Sequence, residues 1–396
     1  MRSFLARHPE LLLSVSPLLD GYLTVAAGFL IAHVFLSASS FLTFVFASGF
    51  MAGAFLGSLL IGCFADQYGQ SFLCRTLLVV PALAAGASCF TDNLIVVTMF
   101  QCLIGLFIGA DQPVSQAIVT ELSTPETRSK RLSFLMLAWY VGALTAIAAE
   151  CLLLLTGKLE ATGAWHAFYA VPTVLCLASL PLRHRLMKGF HSTQSSPSAG
   201  SVPSLKPYRK AILFCCGFWT CQTLPVTAVM FYSPVILESV TGNPYQLFQV
   251  TLIYLGFLAG TLPMLKFGNL LPARKVLLGT FTAMAMGLAG ITCDPSVPML
   301  GICFGLYALA YGMQSTLDYS LPNQLIPTAV RTTAVGIVFA VSRVASVVAT
   351  VGFPLLLKSY NVVEILVAGT GIALTGGAMT WISQTSKQFT SCQQHK

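Results

Sequence analysis

The sequence predicts an all-α polytopic membrane protein with twelve transmembrane helices in two six-helix bundles, and three observations carry that prediction. Hydrophobic residues make up 56% of the 396 positions and charged residues 9%, against about a quarter charged in an ordinary soluble domain. Apolar stretches of about 20 residues, the length that crosses a ~30 Å hydrocarbon core, recur from near residue 11 to near residue 384. These runs show no period-two alternation. Since lipid offers no partner for backbone N–H and C=O groups, they are helices and not barrel strands.

Hydropathy and loop punctuation place spans 1 to 6 at 11–36, 41–65, 72–90, 94–118, 132–157 and 164–182. Spans 7 to 12 fall at 211–237, 246–266, 275–292, 297–320, 332–357 and 362–384. The basic start followed by an apolar run is not a cleavable leader, because the run continues through Asp20 and Gly21 without a small-residue cleavage site. Residues 183–210 are basic at both ends and rich in Ser and Pro between them. Such a composition buries no core and reads as a cytoplasmic linker. The predicted organisation is therefore an N-terminal bundle over 1–182, the linker over 183–210 and a C-terminal bundle over 211–396.

An internal echo supports two duplicated halves. Glu121-Leu-Ser-Thr-Pro-Glu-Thr-Arg128 after span 4 is repeated in outline by Gln324-Leu-Ile-Pro-Thr-Ala-Val-Arg331 after span 10. Gly62-x-x-x-Asp66-x-x-Gly69 after span 2 has a weaker counterpart in 268–275 after span 8. This is the mark of parallel repeats related by an axis along the membrane normal.

The formal charge of +8 is a topology signal and does not call for a nucleic-acid partner. On the span assignment nearly all Lys and Arg lie on one side, with Lys158 and Lys358 opposite and Arg343 within a span. The positive-inside rule then puts both termini in the cytoplasm. The twelve cysteines and six histidines show no metal-ligand spacing and read as packing or incidental residues. No phosphate-binding Gly-Lys-Ser/Thr loop and no nucleophile–base constellation is present, so neither an ATP-driven pump nor an enzyme is expected. No cofactor or metal is implied.

Ionisable groups inside a membrane are costly and mark function by default. Asp20 in span 1, Asp111 in span 4, Glu150 in span 5, Asp318 in span 10 and Arg343 in span 11 are the candidates. Asp20 has no cation near it in an otherwise apolar helix, which makes it the candidate proton carrier; the alternative is an acid bonded across the bundle. Asp111 is read either as a solute contact or as an acceptor for a neighbouring helix. Glu150 and Asp318 are intermediate cases, and Arg343 neutralises one of the acids. Trp219 and Gln222, in the stretch Trp219-Thr-Cys-Gln222-Thr-Leu-Pro225 of span 7, and Tyr311, Gln314, Thr316, Asp318 and Tyr319 in span 10 form polar and aromatic clusters. These suit a hydroxylated or carboxylated solute, or else hold helices together. Tyr22 and Gln101 join the candidate solute contacts. Gly62, Asp66 and Gly69 read as a tight turn whose acid latches one of two bundle arrangements.

These residues resemble the major facilitator superfamily, in its sugar-porter and metabolite:proton symporter branches. The resemblance rests on Leu19-Asp20-Gly21-Tyr22, Gly62-x-x-x-Asp66-x-x-Gly69 and Gly105-x-x-x-Gly109-Ala-Asp111-Gln-Pro113 through Glu121 and Arg128. It also rests on Trp139-Tyr140-Val-Gly142, Trp219-Thr-Cys-Gln222, Arg331 and Ser342-Arg343. It implies a central site between two bundles, alternating access, proton coupling at Asp20 and hydroxyl binding at Gln222 and Thr227. It further implies a cytoplasmic charge network of Asp66, Glu121, Arg128 and Arg331. The chain departs from the pattern at Gln101, where the Arg partner of the span-1 acid is usual, at Gln324, and at the shortened Pro181-Leu-Arg183.

The expected function is proton-coupled uptake of a sugar, sugar acid or organic acid by a monomer in lipid, with small-molecule solute and protons as partners. A bacterial inner membrane is the expected location. The alternatives are an efflux antiporter for cationic or amphipathic compounds, motivated by the excess of intramembrane acids over Arg343, a facilitative uniporter, and a membrane sensor that binds without translocating.

Overall fold

A computed structural model of the chain describes residues 8–35, 38–155, 164–188, 204–241, 247–293 and 297–383. Twelve long helices account for most of them. In chain order they are α1 (Val15–His33), preceded by the short helix Pro9–Leu13, α2 (Ser40–Tyr68) and α3, which is broken into Gln70–Thr76 and Val79–Ser88. Next come α4 (Leu94–Glu121), α5 (Pro125–Leu155), α6 (Ala167–Leu186), α7 (Arg209–Thr241) and α8 (Leu247–Phe267). The last four are α9 (Ala273–Cys293), α10 (Val297–Leu325), α11 (Arg331–Leu356) and α12 (Val362–Ile382). Among the described residues eleven helices are long and apolar enough to cross a membrane. The remaining one, α6, has the same length but carries Arg183, His184 and Arg185 in its last turn. The twelve predicted spans are thus all present as helices.

Local chemistry sets where the helices begin. The Ser39 hydroxyl accepts from the Leu42 N–H at 3.2 Å ahead of α2, and Asn93 Oδ1 accepts from the Ile95 N–H at 3.0 Å ahead of α4. At α12 the Asn361 side chain accepts from the Glu364 N–H, and Glu364 accepts from the Asn361 N–H, closing a capping box. Each cap satisfies backbone donors that a helix start leaves open. Gly69 separates α2 from α3 with φ +76°, the single positive φ among the described residues. A residue with a Cβ is strained there. The turn is confined to Gly69: Gly62 lies inside α2, where a turn had been expected.

The helices group into two compact units, one of Met1–Ser204 with Thr328–Val344 and the other of Leu205–Pro327 with Ala345–Lys396. This differs from a division at the linker, because the first part of α11 packs within the first unit. In that unit α1 lies against α5, α2 against α4 and α3 against α6. In the second, α8 lies against α10 and α9 against α12. Pairings of the second with the fourth and of the third with the sixth helix therefore recur in each half, as a duplicated six-helix module produces.

Glycine lets the helices of the first unit approach to backbone contact. A Cβ at Gly21 of α1 would meet the Trp139 carbonyl of α5, and one at Gly142 of α5 would meet the Leu18 carbonyl of α1. Gly105 and Gly109 of α4 stand in the same relation to Phe50 and Ala54 of α2. Close approach through small residues replaces the hydrophobic drive that lipid does not provide.

Candidate solute and proton site

In the first unit, buried polar groups gather at two levels. At one of them, Asp111 of α4 receives Arg183 of α6 in a two-pronged pair, with Nη1 to Oδ1 at 2.6 Å and Nη2 to Oδ2 at 3.0 Å. The Ser115 hydroxyl donates to Oδ2 at 2.9 Å and the Ser16 hydroxyl of α1 donates to the same oxygen. Both members of the ion pair are fully buried. Asp111, expected among the solute contacts, is therefore saturated by its own unit. Arg183, expected in the cytoplasmic linker, belongs to the core, because α6 continues through it to Leu186. A buried acid in α4 calls for a counter-charge, and Arg183 was one residue beyond the predicted end of span 6. That adjacency is the signal that finds it.

The other level is built on Asp20 of α1, which is 1% exposed. Its partner is Arg343 of α11, with Nη2 at 2.5 Å from Oδ2. Gln112 of α4 donates to the same oxygen at 3.4 Å, and Trp139 and Thr24 lie close to the carboxylate. The Arg343 guanidinium stacks over the Phe339 ring at 4.3 Å. Planar stacking and a charged hydrogen bond together fix its direction. Gln101, at the position where a partner for Asp20 was sought, accepts from the Tyr169 hydroxyl at 3.2 Å instead. Tyr22 is buried near Phe168, 6.3 Å between ring centres, and its hydroxyl has no partner among the described residues.

The charge network is partly assembled in the same unit. Arg331, 7% exposed, interacts electrostatically with Glu121 and Arg128. One residue on, the Thr332 hydroxyl accepts from Gln70 at 3.0 Å, a neutral link that the sequence did not signal. The side chain of Asp66 lies outside the described residues. Glu150 sits half-buried in the last turns of α5 and is not brought to either polar level.

In the second unit Gln222 of α7 donates through Nε2 to both oxygens of Asp318 of α10, at 2.6 and 2.5 Å. One turn earlier on α10, Gln314 meets the Thr280 hydroxyl of α9 at 2.7 Å. Trp219 and Tyr319 lie 6.3 Å apart beside this pair. The expected Trp219, Gln222, Gln314 and Asp318 are thus together, with Thr227 buried further along α7. A cavity lined by Phe214, Arg274, Leu277 and Thr380 lies toward the Ala273 end of α9 and does not include them. None of the described residues forms a cluster suited to a metal.

Comparison with known proteins agrees with this architecture. The profile of the Major Facilitator Superfamily matches residues 11–252, and that of the Sugar (and other) transporter family matches residues 183–389. YaaU of Escherichia coli (strain K12), whose name gives metabolite transport provisionally, is 27% identical over 94% of this chain and 91% of its own. The minor myo-inositol transporter IolF of Bacillus subtilis (strain 168) is 25% identical over 83% of this chain and 76% of its own. The fold superposes on the proton:xylose symporter XylE with a TM-score of 0.79 at 15% identity, covering 96% of each chain. The chain belongs to the major facilitator superfamily, in its sugar-transporter branch, and is an integral multi-pass membrane transporter and not an enzyme.

Proposed function

We propose that this transporter couples proton entry to uptake of a small polar metabolite, a sugar, sugar acid or organic acid, by alternating access. The observation that carries the reading is the Asp20–Arg343 pair. A proton and Arg343 compete for one buried carboxylate, so protonation of Asp20 releases α11 from α1 and changes which arrangement is favoured. The cation absent at Gln101 is supplied from α11, which supports coupling where the α4 position alone does not. The solute binds near Gln222 and Gln314, with Trp219 and Tyr319 giving flat apolar contact. The names of the relatives, metabolite and myo-inositol transport among them, agree with that solute class. The protein works as a monomer in a bacterial cell membrane with both termini cytoplasmic.

The motive for the efflux reading narrows to Glu150 and Asp318, since Arg183 is a second intramembrane cation and neutralises Asp111 as Arg343 does Asp20.

The test is uptake of labelled sugars, sugar acids and organic acids into proteoliposomes, with and without an inward proton gradient. Accumulation above equilibrium, driven by the gradient, is the expected result. Asp20→Asn is expected to abolish accumulation and spare solute exchange. If the variant still concentrates solute, Asp20 is not the coupling site. Equilibration that ignores the gradient makes the protein a uniporter.

A further inference from the structure

We infer that Asp318 is a positioning residue: it turns the Gln222 amide so that the carbonyl oxygen is left for the solute. The site then takes a hydroxyl or N–H donor at that point, as a polyol or sugar presents, and not a bare carboxylate. The inference rests on the proposed solute site and narrows its substrate class.

The two ends of a side-chain amide are nearly the same size, so surroundings decide which way it faces. Gln222 places Nε2 at 2.6 and 2.5 Å from the two oxygens of Asp318. With Asp318 ionised, the reverse orientation sets Oε1 against a second acceptor with no proton between them. The NH2 end is therefore held by Asp318. Burial strengthens the preference, because Gln222 is 0% and Asp318 2% exposed and no water screens the repulsion.

The consequence falls on the other end of the amide. Gln222 Oε1 is buried without a hydrogen-bond partner, an arrangement that native proteins rarely tolerate without a reason. A transport site supplies one, since the solute completes the bond. Gln314, a turn before Asp318 on the same face of α10, likewise leaves the Nε2 end of its amide without a partner while Oε1 lies 2.7 Å from the Thr280 hydroxyl. Trp219 and Tyr319 stand beside them. Open amide ends next to aromatic faces match a ring bearing several hydroxyls, which both donate and accept. A carboxylate brought to Gln222 Oε1 meets a second acceptor instead.

Two measurements test this. The first needs no solute. Gln222→Glu sets two carboxylates face to face, and is expected to lower the thermal unfolding midpoint of the purified protein by several degrees. Asp318→Asn in that background is expected to restore it, because the new amide donates to the new carboxylate. If Gln222→Glu alone matches the parent, Asp318 does not hold the amide and the inference falls.

The second measures binding and uptake of labelled D-xylose and myo-inositol against benzoate and succinate, which carry no alcohol hydroxyl or N–H. Asp318→Asn is expected to raise KM for the polyols about tenfold, the cost of one misdirected hydrogen bond, with kcat little changed. Asp318→Glu is expected to keep most of the affinity. Benzoate or succinate bound as tightly as the polyols overturns the donor requirement, and so does a polyol KM that Asp318→Asn leaves unchanged. Failure of the parent protein to take up any of the four overturns the proposed solute class, while the unfolding measurement still decides the orientation of the amide.

Discussion

A buried charge is tolerable only when its partner geometry is complete, and Asp111 meets that condition: two guanidinium bonds from Arg183 and two hydroxyls occupy its oxygens. Removing one member strands the other in a water-free core, which costs about 3–5 kcal/mol. Asp111→Asn or Arg183→Met is therefore expected to lower the unfolding midpoint sharply in a thermal melt of detergent-purified protein. Replacing both by apolar residues of similar volume is expected to recover much of the loss, since no uncompensated charge remains. Recovery would mark the pair as structural; Asp20→Asn also strands a buried cation, Arg343, so what separates the two sites is the loss of coupling and not the loss of stability. At this scale the acids were legible in the sequence, because each interrupts an apolar run. Their partners were not: Arg343 is 323 positions from Asp20 and Arg183 is 72 from Asp111, and hydropathy carries no information about which helices meet.

Helices were the most legible element, since a span in lipid must close its own hydrogen bonds. Their ends were less so. α2 was expected to stop near residue 65 and runs to Tyr68, and α6 runs to Leu186 rather than 182. A polar or basic side chain in the last turn lowers hydropathy without ending a helix, provided the side chain finds a partner, as Arg183 does, or reaches the interface. Helix packing invites a paired test. A Cβ at Gly142 would collide with the Leu18 backbone, whereas one at Gly28 meets nothing within 4 Å. Because backbone cannot step aside as a flexible side chain does, Gly142→Ala must part α1 from α5, at a cost of about 1–3 kcal/mol. Gly28→Ala should be neutral or slightly stabilising. Comparing the heat-resistant monodisperse fraction of the two variants by size exclusion decides it. Equal behaviour would mean that α1 and α5 are not held at backbone contact.

For the whole molecule, charge placed by the folded helices yields a topology that each unit supports independently. In the first, Arg75 at the start of α3 donates to the Met187 carbonyl just past α6 at 2.8 Å. Arg131 near the start of α5 donates to the Leu122 carbonyl past α4 at 2.7 Å and pairs with Glu10 at 3.3 Å. These bonds bring the beginnings of α3 and α5, the ends of α4 and α6 and the approach to α1 to one basic face. In the second unit Arg274 at the start of α9 lies over the Trp381 ring at the end of α12, 5.5 Å from its centre. Within each unit the ends of α4 and α6, and of α12, lie beside basic residues, and we propose from the positive-inside rule that these ends are cytoplasmic. A green fluorescent protein fused after Ile382 is expected to fluoresce in a bacterial host, and alkaline phosphatase fused there to stay inactive. Fusions after Lys358, between α11 and α12, are expected to show the opposite pair. Fluorescence at both junctions, or activity reversed between them, would refute the orientation. It would also reverse the sense of the coupling, because the side from which a proton reaches Asp20 is fixed by which face is outside.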